Sequence, residues 1–159
     1  MATYPVVISK KHNGTVGWQS YETVEAAGQS YTADQLVLVG ASGAITITST
    51  GSTTGVLGTA VTAATGVTGA SAIVNVVEPG DILEMTLVNN SATPVTAALS
   101  DLYKKYGLYV SGGSCFLDKN PTTFTFGQIV GFIYDSNGAF TSRVLVTVLP
   151  ANLVVSAGL

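Results

Sequence analysis

The chain has 159 residues, of which only 9% are Asp, Glu, Lys or Arg, against roughly a quarter in ordinary soluble domains. A net charge of −3 with six Lys and Arg provides no basic stripe for a nucleic-acid backbone, and 47% hydrophobic residues argue against disorder. Cys115 is the single cysteine, which excludes an intramolecular disulfide or a thiolate metal cluster within one subunit and suits a reducing cytoplasm. A surface this poor in charge is expected to meet other protein, so assembly is the first reading.

The opening Met1-Ala2-Thr3-Tyr4-Pro5 lacks the basic start and apolar core of a secretory signal, so export is not expected. No residue between Asp34 and Glu78 is ionised, but Thr, Ser and Gly interrupt every apolar run there before the roughly 18 residues of a membrane helix. The length suits one β-rich domain over 26–159 preceded by an N-terminal arm over 1–25.

Period-two alternation dominates from the N-terminus onward and predicts strands near 4–9, 15–21, 35–39, 44–48, 72–77, 82–88, 108–110, 123–126 and 129–134. The nearly continuous apolar run 143–149 reads as a central strand buried on both faces. Asn13-Gly14, the Gly40–Gly43 stretch, Pro79-Gly80-Asp81, Gly112-Gly113 and Asn137-Gly138 supply turns between these runs. Many short strands with regular turns imply an all-β fold, a β-barrel or β-sandwich.

One segment breaks the pattern. Val95, Ala98, Leu99, Leu102, Tyr103 and Tyr106 recur at helical spacing behind Thr93-Pro94 and before Gly107, which predicts a short helix over 94–106. The stretch 49–70, rich in Thr, Gly, Ala and Val, reads either as a surface excursion or as a surface buried against neighbouring subunits. No strong internal repeat is visible.

Groups for catalysis are sparse. His12, the only histidine, lies beside Lys10-Lys11 and just before an Asn-Gly turn, as an exposed turn residue would, and zinc ligation of ordinary composition cannot be assembled from it. The Gly40–Ala44 stretch has alanine where a nucleophile elbow needs its second glycine, and no histidine follows it. Asp135-Ser136-Asn137-Gly138 lacks the remainder of a calcium loop. Glu78, Asp81 and Glu84 around Pro79-Gly80 read as a solvated turn. Phe124 with Phe126, and Phe132 with Tyr134, share parities that place each pair on a buried strand face. No catalytic, cofactor-binding or metal-binding residue is assigned. The candidate interface with another protein or subunit is the strand-like arm, through Tyr4, Val6, Ile8, Trp18 and Tyr21, with Trp18 as its aromatic anchor.

The Ala27-Gly28-Gln29-Ser30-Tyr31 stretch, Leu36-Val37-Leu38-Val39, Gly55-Val56-Leu57-Gly58 and Pro79-Gly80-Asp81-Ile82-Leu83-Glu84-Met85 resemble segments of the capsid decoration, or cement, proteins of tailed bacteriophages. Tyr106-Gly107-Leu108-Tyr109, Phe116-Leu117-Asp118, Gly131-Phe132-Ile133 and Arg143-Val144-Leu145-Val146 extend the similarity over most of the chain. The resemblance implies a β-rich subunit, often a homotrimer, on the outer capsid surface of the virion, made in the host cytoplasm and bound to the major capsid protein. A phage tail or fibre component and a carbohydrate-binding β-sandwich module are the alternatives.

Overall fold

β-Branched residues in short runs, punctuated by glycines, favour pleated strands over helices. The computed structural model describes residues 6–10, 20–40, 42–51, 55–120 and 124–154, and it is mainly β. Its strands are β1 (Val7–Lys10), β2 (Ser20–Val24), β3 (Leu36–Val39), β4 (Ile45–Ile47), β5 (Val56–Ala60), β6 (Ser71–Val76), β7 (Ile82–Val88), β8 (Lys105–Ser111), β9 (Ser114–Asp118), β10 (Gly127–Tyr134) and β11 (Phe140–Val148). They form two sheets.

Each sheet curls back on itself, and both do so by the same path. In the second, the order β7-β11-β10-β8-β9 closes through a parallel pairing of Leu87 and Val88 with Leu117 and Asp118. In the first, β2-β6-β5-β3-β4 closes through a parallel bridge between Glu25 and Ile45, where the Ala26 N–H donates to the Ile45 carbonyl at 3.0 Å. Taken in chain order, the five strands of each unit therefore follow one circuit: first, fifth, fourth, second, third.

The registers coincide as well. Tyr21 opposite Val74 matches Leu83 opposite Val146, and Gly58 opposite Val76 matches Gly127 opposite Val148. Val37 opposite Gly58 matches Tyr106 opposite Gly127, while Val39 opposite Ile45 matches Leu108 opposite Leu117. Finally Glu25 beside Ile45 matches Leu87 beside Leu117. On this alignment the first barrel's interior residues Val37, Ile45, Leu57, Ala60, Ala72 and Val74 occupy the places of Tyr106, Leu117, Phe126, Ile129, Val144 and Val146. Asp34 and Tyr103, both non-glycine residues with left-handed backbones, stand at the same place before their strands. The chain thus contains two copies of one five-stranded barrel, a repeat that the sequence pattern does not reveal.

The copies pack tightly together. Leu36 and Val56 of the first barrel belong to the hydrophobic core of the second, and the Val154 N–H donates to the Val56 carbonyl at 3.0 Å. Cys115 lies at this seam. Its N–H donates to Gln35 Oε1 at 2.6 Å, and its sulfur lies 3.0 Å from Thr48 Oγ1. Burial pushes the thiol's pKa up, against the opposing hydrogen bond from Thr48. Because Thr48 is already placed to partner a hydroxyl, Cys115→Ser is expected to change stability by no more than about 1 kcal/mol. A urea midpoint that drops further, or one that moves with reducing agent, contradicts this.

Several sequence expectations change. Residues expected as a free arm are built into both sheets: β1 pairs antiparallel with β7, β2 with β6, and Val6 is buried in the core at 1% exposure. The helix over 94–106 does not form. Its middle is one 3-10 turn, Leu99–Asp101, and its last residues belong to β8. Tertiary pairing overrides the local periodicity, because the Val95 N–H bonds to the Leu87 carbonyl and the Ala97 N–H to the Thr141 carbonyl, both at 2.9 Å, drawing the segment out along β7 and β11. Strand β11 is central, between β7 and β10, but its burial alternates and only one face is fully covered. Phe124 and Phe126 do not share a buried strand face: Phe126 is fully buried before β10, whereas Phe124 is 55% exposed.

Candidate functional site

The buried polar residues are absorbed by structure. At the mouth of the first barrel the Glu25 carboxylate accepts from the Thr65 N–H at 2.9 Å, Thr65 Oγ1 at 3.2 Å and the Gly66 N–H at 3.0 Å, latching the β5–β6 connection. Burial alone raises the Glu25 pKa, but these donors outweigh it and hold the carboxyl below its usual value. The buried Tyr31 hydroxyl faces the same carboxylate without a well-formed hydrogen bond. Burial first, then the Glu25 charge, push its pKa up to about 12.

In the second barrel, Asp101 accepts from Tyr106 Oη at 2.7 Å, Lys119 Nζ at 3.0 Å and the Ala98 N–H at 2.8 Å. Burial opposes ionisation of Asp101, yet the Tyr106 and Lys119 hydrogen bonds prevail and lower its pKa. Asp81 is fully buried and accepts from the Glu78 N–H at 2.8 Å, so Asp81 is drawn inside instead of standing in a solvated turn, while Gly80 stays exposed. Glu84 is engaged by Arg143 Nε at 2.8 Å, and Arg143 Nη1 donates to Thr86 Oγ1 at 2.8 Å. Among the described residues no group of three His, Cys, Asp or Glu side chains is placed to hold a metal ion.

Each barrel leaves several large apolar side chains exposed. On the first, Ser20, Glu22 and Val24 share the outer face with Ser71, Ile73 and Asn75, as the Ser20–Asn75 and Ser71–Glu22 hydrogen bonds show. Val24 and Ile73 stand exposed on that face, and the exposed Val61 is tied to Ile73 by a backbone hydrogen bond. On the second barrel, Leu99 and Tyr103 are exposed on the β7–β8 connection, and Phe124 leads into β10, to which that connection is bonded through the Tyr103 N–H and the Ile129 carbonyl. The β10–β11 hairpin carries an aromatic trio, with Phe140 packed edge-on against Phe132 at 5.0 Å and beside the exposed Tyr134 at 5.3 Å. These two therefore form a half-open cluster rather than a buried strand face.

Of the residues assigned to an interface from sequence, Tyr4 and Trp18 lie outside the described residues, as does His12. Ile8 is at a paired backbone position opposite Leu83. Val6 is taken up by the core, which leaves it no surface to offer. Tyr21 alone is a described, exposed side chain. Sequence reasoning missed Leu99, Tyr103 and Phe124, because helical or strand periodicity assigned each of them to a packed element.

Fold and surface together define an all-β protein of two matched five-stranded barrels, with exposed apolar residues on both. No protein-family model matches the chain, and no curated protein matches its sequence.

Proposed function

We propose that the protein decorates the outer surface of a tailed-phage capsid as a homotrimer and stabilises the shell by bridging subunits of the major capsid protein. The observation that carries this reading is the pairing of a charge-poor chain with large apolar side chains left exposed on two barrels packed against each other. Isolated exposed hydrophobics need no explanation, but a grouped set such as Tyr134 with Phe140 and Phe132 marks a surface that meets protein, and Leu99, Tyr103 and Phe124 add exposed apolar positions elsewhere on the same barrel. The resemblance of most of the chain to decoration proteins supplies the partner.

Mechanically, two barrels, each with its own core and joined along the seam at Leu36 and Val56, form a clamp. A clamp that binds only the expanded arrangement of capsid subunits stabilises that arrangement by mass action. Aromatic residues near the centre of such a contact carry much of its energy.

The test is co-sedimentation with emptied, expanded capsids, alongside light scattering of the free protein. Saturable retention on expanded but not unexpanded shells, by a trimer, is the expected outcome. The pair Tyr103→Ser and Phe124→Ser is expected to weaken retention by roughly 30-fold or more, the equivalent of one hot spot of about 2 kcal/mol. A monomer at micromolar concentration removes the trimer. Absence from the capsid and presence in isolated tails moves the protein to a tail or fibre role.

A further inference from the structure

The two barrels match strand for strand, so a place filled on one and open on the other identifies what is missing. On the second barrel β9 reaches β7 only at Leu87 and Val88; below them the same edge of β7 is occupied by β1, with Val7, Ile8 and Lys10 opposite Glu84, Leu83 and Ile82. The matching edge of the first barrel is that of β2, where β4 reaches only Glu25 and the residues equivalent to Glu84, Leu83 and Ile82 are Glu22, Tyr21 and Ser20. Among the described residues no strand pairs with this edge of β2.

Two side chains register the vacancy. Leu83 is fully buried, whereas its counterpart Tyr21, facing the barrel interior opposite Val74, is 55% exposed. Glu84 is neutralised by Arg143, but the residue in the place of Arg143 on β6 is Ser71, whose hydroxyl donates to Glu22 at 2.8 Å without cancelling its charge. Among the described residues no cation pairs with Glu22.

The geometry points to a docking edge: Ser20–Glu22 of β2 accepts an extended segment of a partner protein as an added antiparallel strand, and that segment carries a Lys or Arg facing Glu22. An exposed sheet edge offers unpaired backbone groups that such a strand satisfies, while alternate side chains set specificity. Here the apolar position would cover Tyr21 and the basic one would complete the ion pair that Arg143 provides on the other barrel. The assignment rests on the repeat and does not require the partner to be a capsid protein.

The experiment uses the full-length 15N-labelled protein and a synthetic peptide of residues 4–12 of this chain, which contains the segment seated on the matching edge and two lysines, Lys10 pairing there with Ile82, the counterpart of Ser20 and one diagonal step from the Glu22 position. Saturable amide shifts centred on Ser20, Tyr21 and Glu22 are expected. Glu22→Gln, which retains a partner for Ser71, and Glu22→Lys should each weaken binding, by up to about fivefold for an exposed ion pair. A peptide with both lysines replaced by glutamate should bind wild type less well and Glu22→Lys better. The proposal fails if β2 amides do not move at millimolar peptide, or if shifts appear only at Ile82, Leu83 and Glu84, where the peptide would merely exchange with β1. It also fails if Glu22→Lys abolishes self-association of the free protein, because the edge then belongs to a second copy.

Discussion

Gly58→Ala is expected to lower the melting temperature by roughly 10 °C, the counterpart of about 3–4 kcal/mol in a chain of this size. Gly58 sits in β5 where β6 approaches most closely, and a Cβ there would collide with the carbonyl oxygen of Asn75, with Val74 Cγ1 a further 3.0 Å neighbour. The obstacle is backbone held in the β5–β6 ladder, so it cannot step aside without breaking strand pairing. The matched glycine of the second barrel offers an internal control. A Cβ on Gly127 would meet Val146 Cγ1 at 2.6 Å and the Thr147 carbonyl at 3.1 Å, and the first of these belongs to a side chain that can shift. Gly127→Ala should therefore cost less than Gly58→Ala in parallel thermal melts. Equal losses, or none, would mean that the close approach is not what requires glycine in this strand.

The second large effect falls on Glu25, which stands where the other barrel has Leu87. Replacing it by Leu would restore the apolar wall but remove the charged acceptor of the Thr65 and Gly66 N–H groups, and hydrogen bonds to a charged group are worth about 1.5–3 kcal/mol each. Glu25→Leu is therefore expected to destabilise the protein by about 3 kcal/mol, with amides of the β5–β6 connection losing hydrogen-exchange protection before the rest. Because the native Glu25 pKa lies below its ordinary value of 4.5, its contribution is complete above that value and is lost as pH falls through the lower native one. Asp101 shifts in the same direction, so acid destabilises wild type through both groups and Glu25→Leu through one fewer. Tyr31 works at the other end of the scale: with its pKa raised from 10.0 to about 12, its contribution is complete below 10 and fades as pH climbs toward 12. Urea midpoints across pH check both limbs. A stability difference between wild type and Glu25→Leu that stays constant into the acid range would show that ionisation of Glu25 is not what holds the connection.

Much of the β architecture is legible in the chain because it depends on local chemistry. Alternation locates β3, β4, β6 and β7 nearly residue for residue, and the paired glycines 112 and 113, both at positive φ, make the tight turn from β8 to β9 as their lack of a Cβ permits. Strands β5 and β9 escape the pattern, since Val56–Ala60 and Ser114–Asp118 are buried throughout and do not alternate. The repeat is hidden for a related reason: many matched interior positions share a direction but not a residue, with Val37 answering Tyr106, Leu57 answering Phe126 and Ala60 answering Ile129. Cores constrain total volume and polarity more than identity, so two barrels can keep every register while their sequences diverge.

The all-β fold is written in the residues themselves, because composition and period two express side-chain chemistry directly. The closing of the strands into two matched circuits and the burial of Val6 in the core arise from tertiary pairing. That pairing also decided that residues 94–106 run along β7 and β11 instead of coiling, and that Tyr21, Tyr103 and Phe124 are left open. Those outcomes depend on which strand edges meet across long sequence separations, and that is a property of hydrogen-bond pairing between distant segments rather than of any local run.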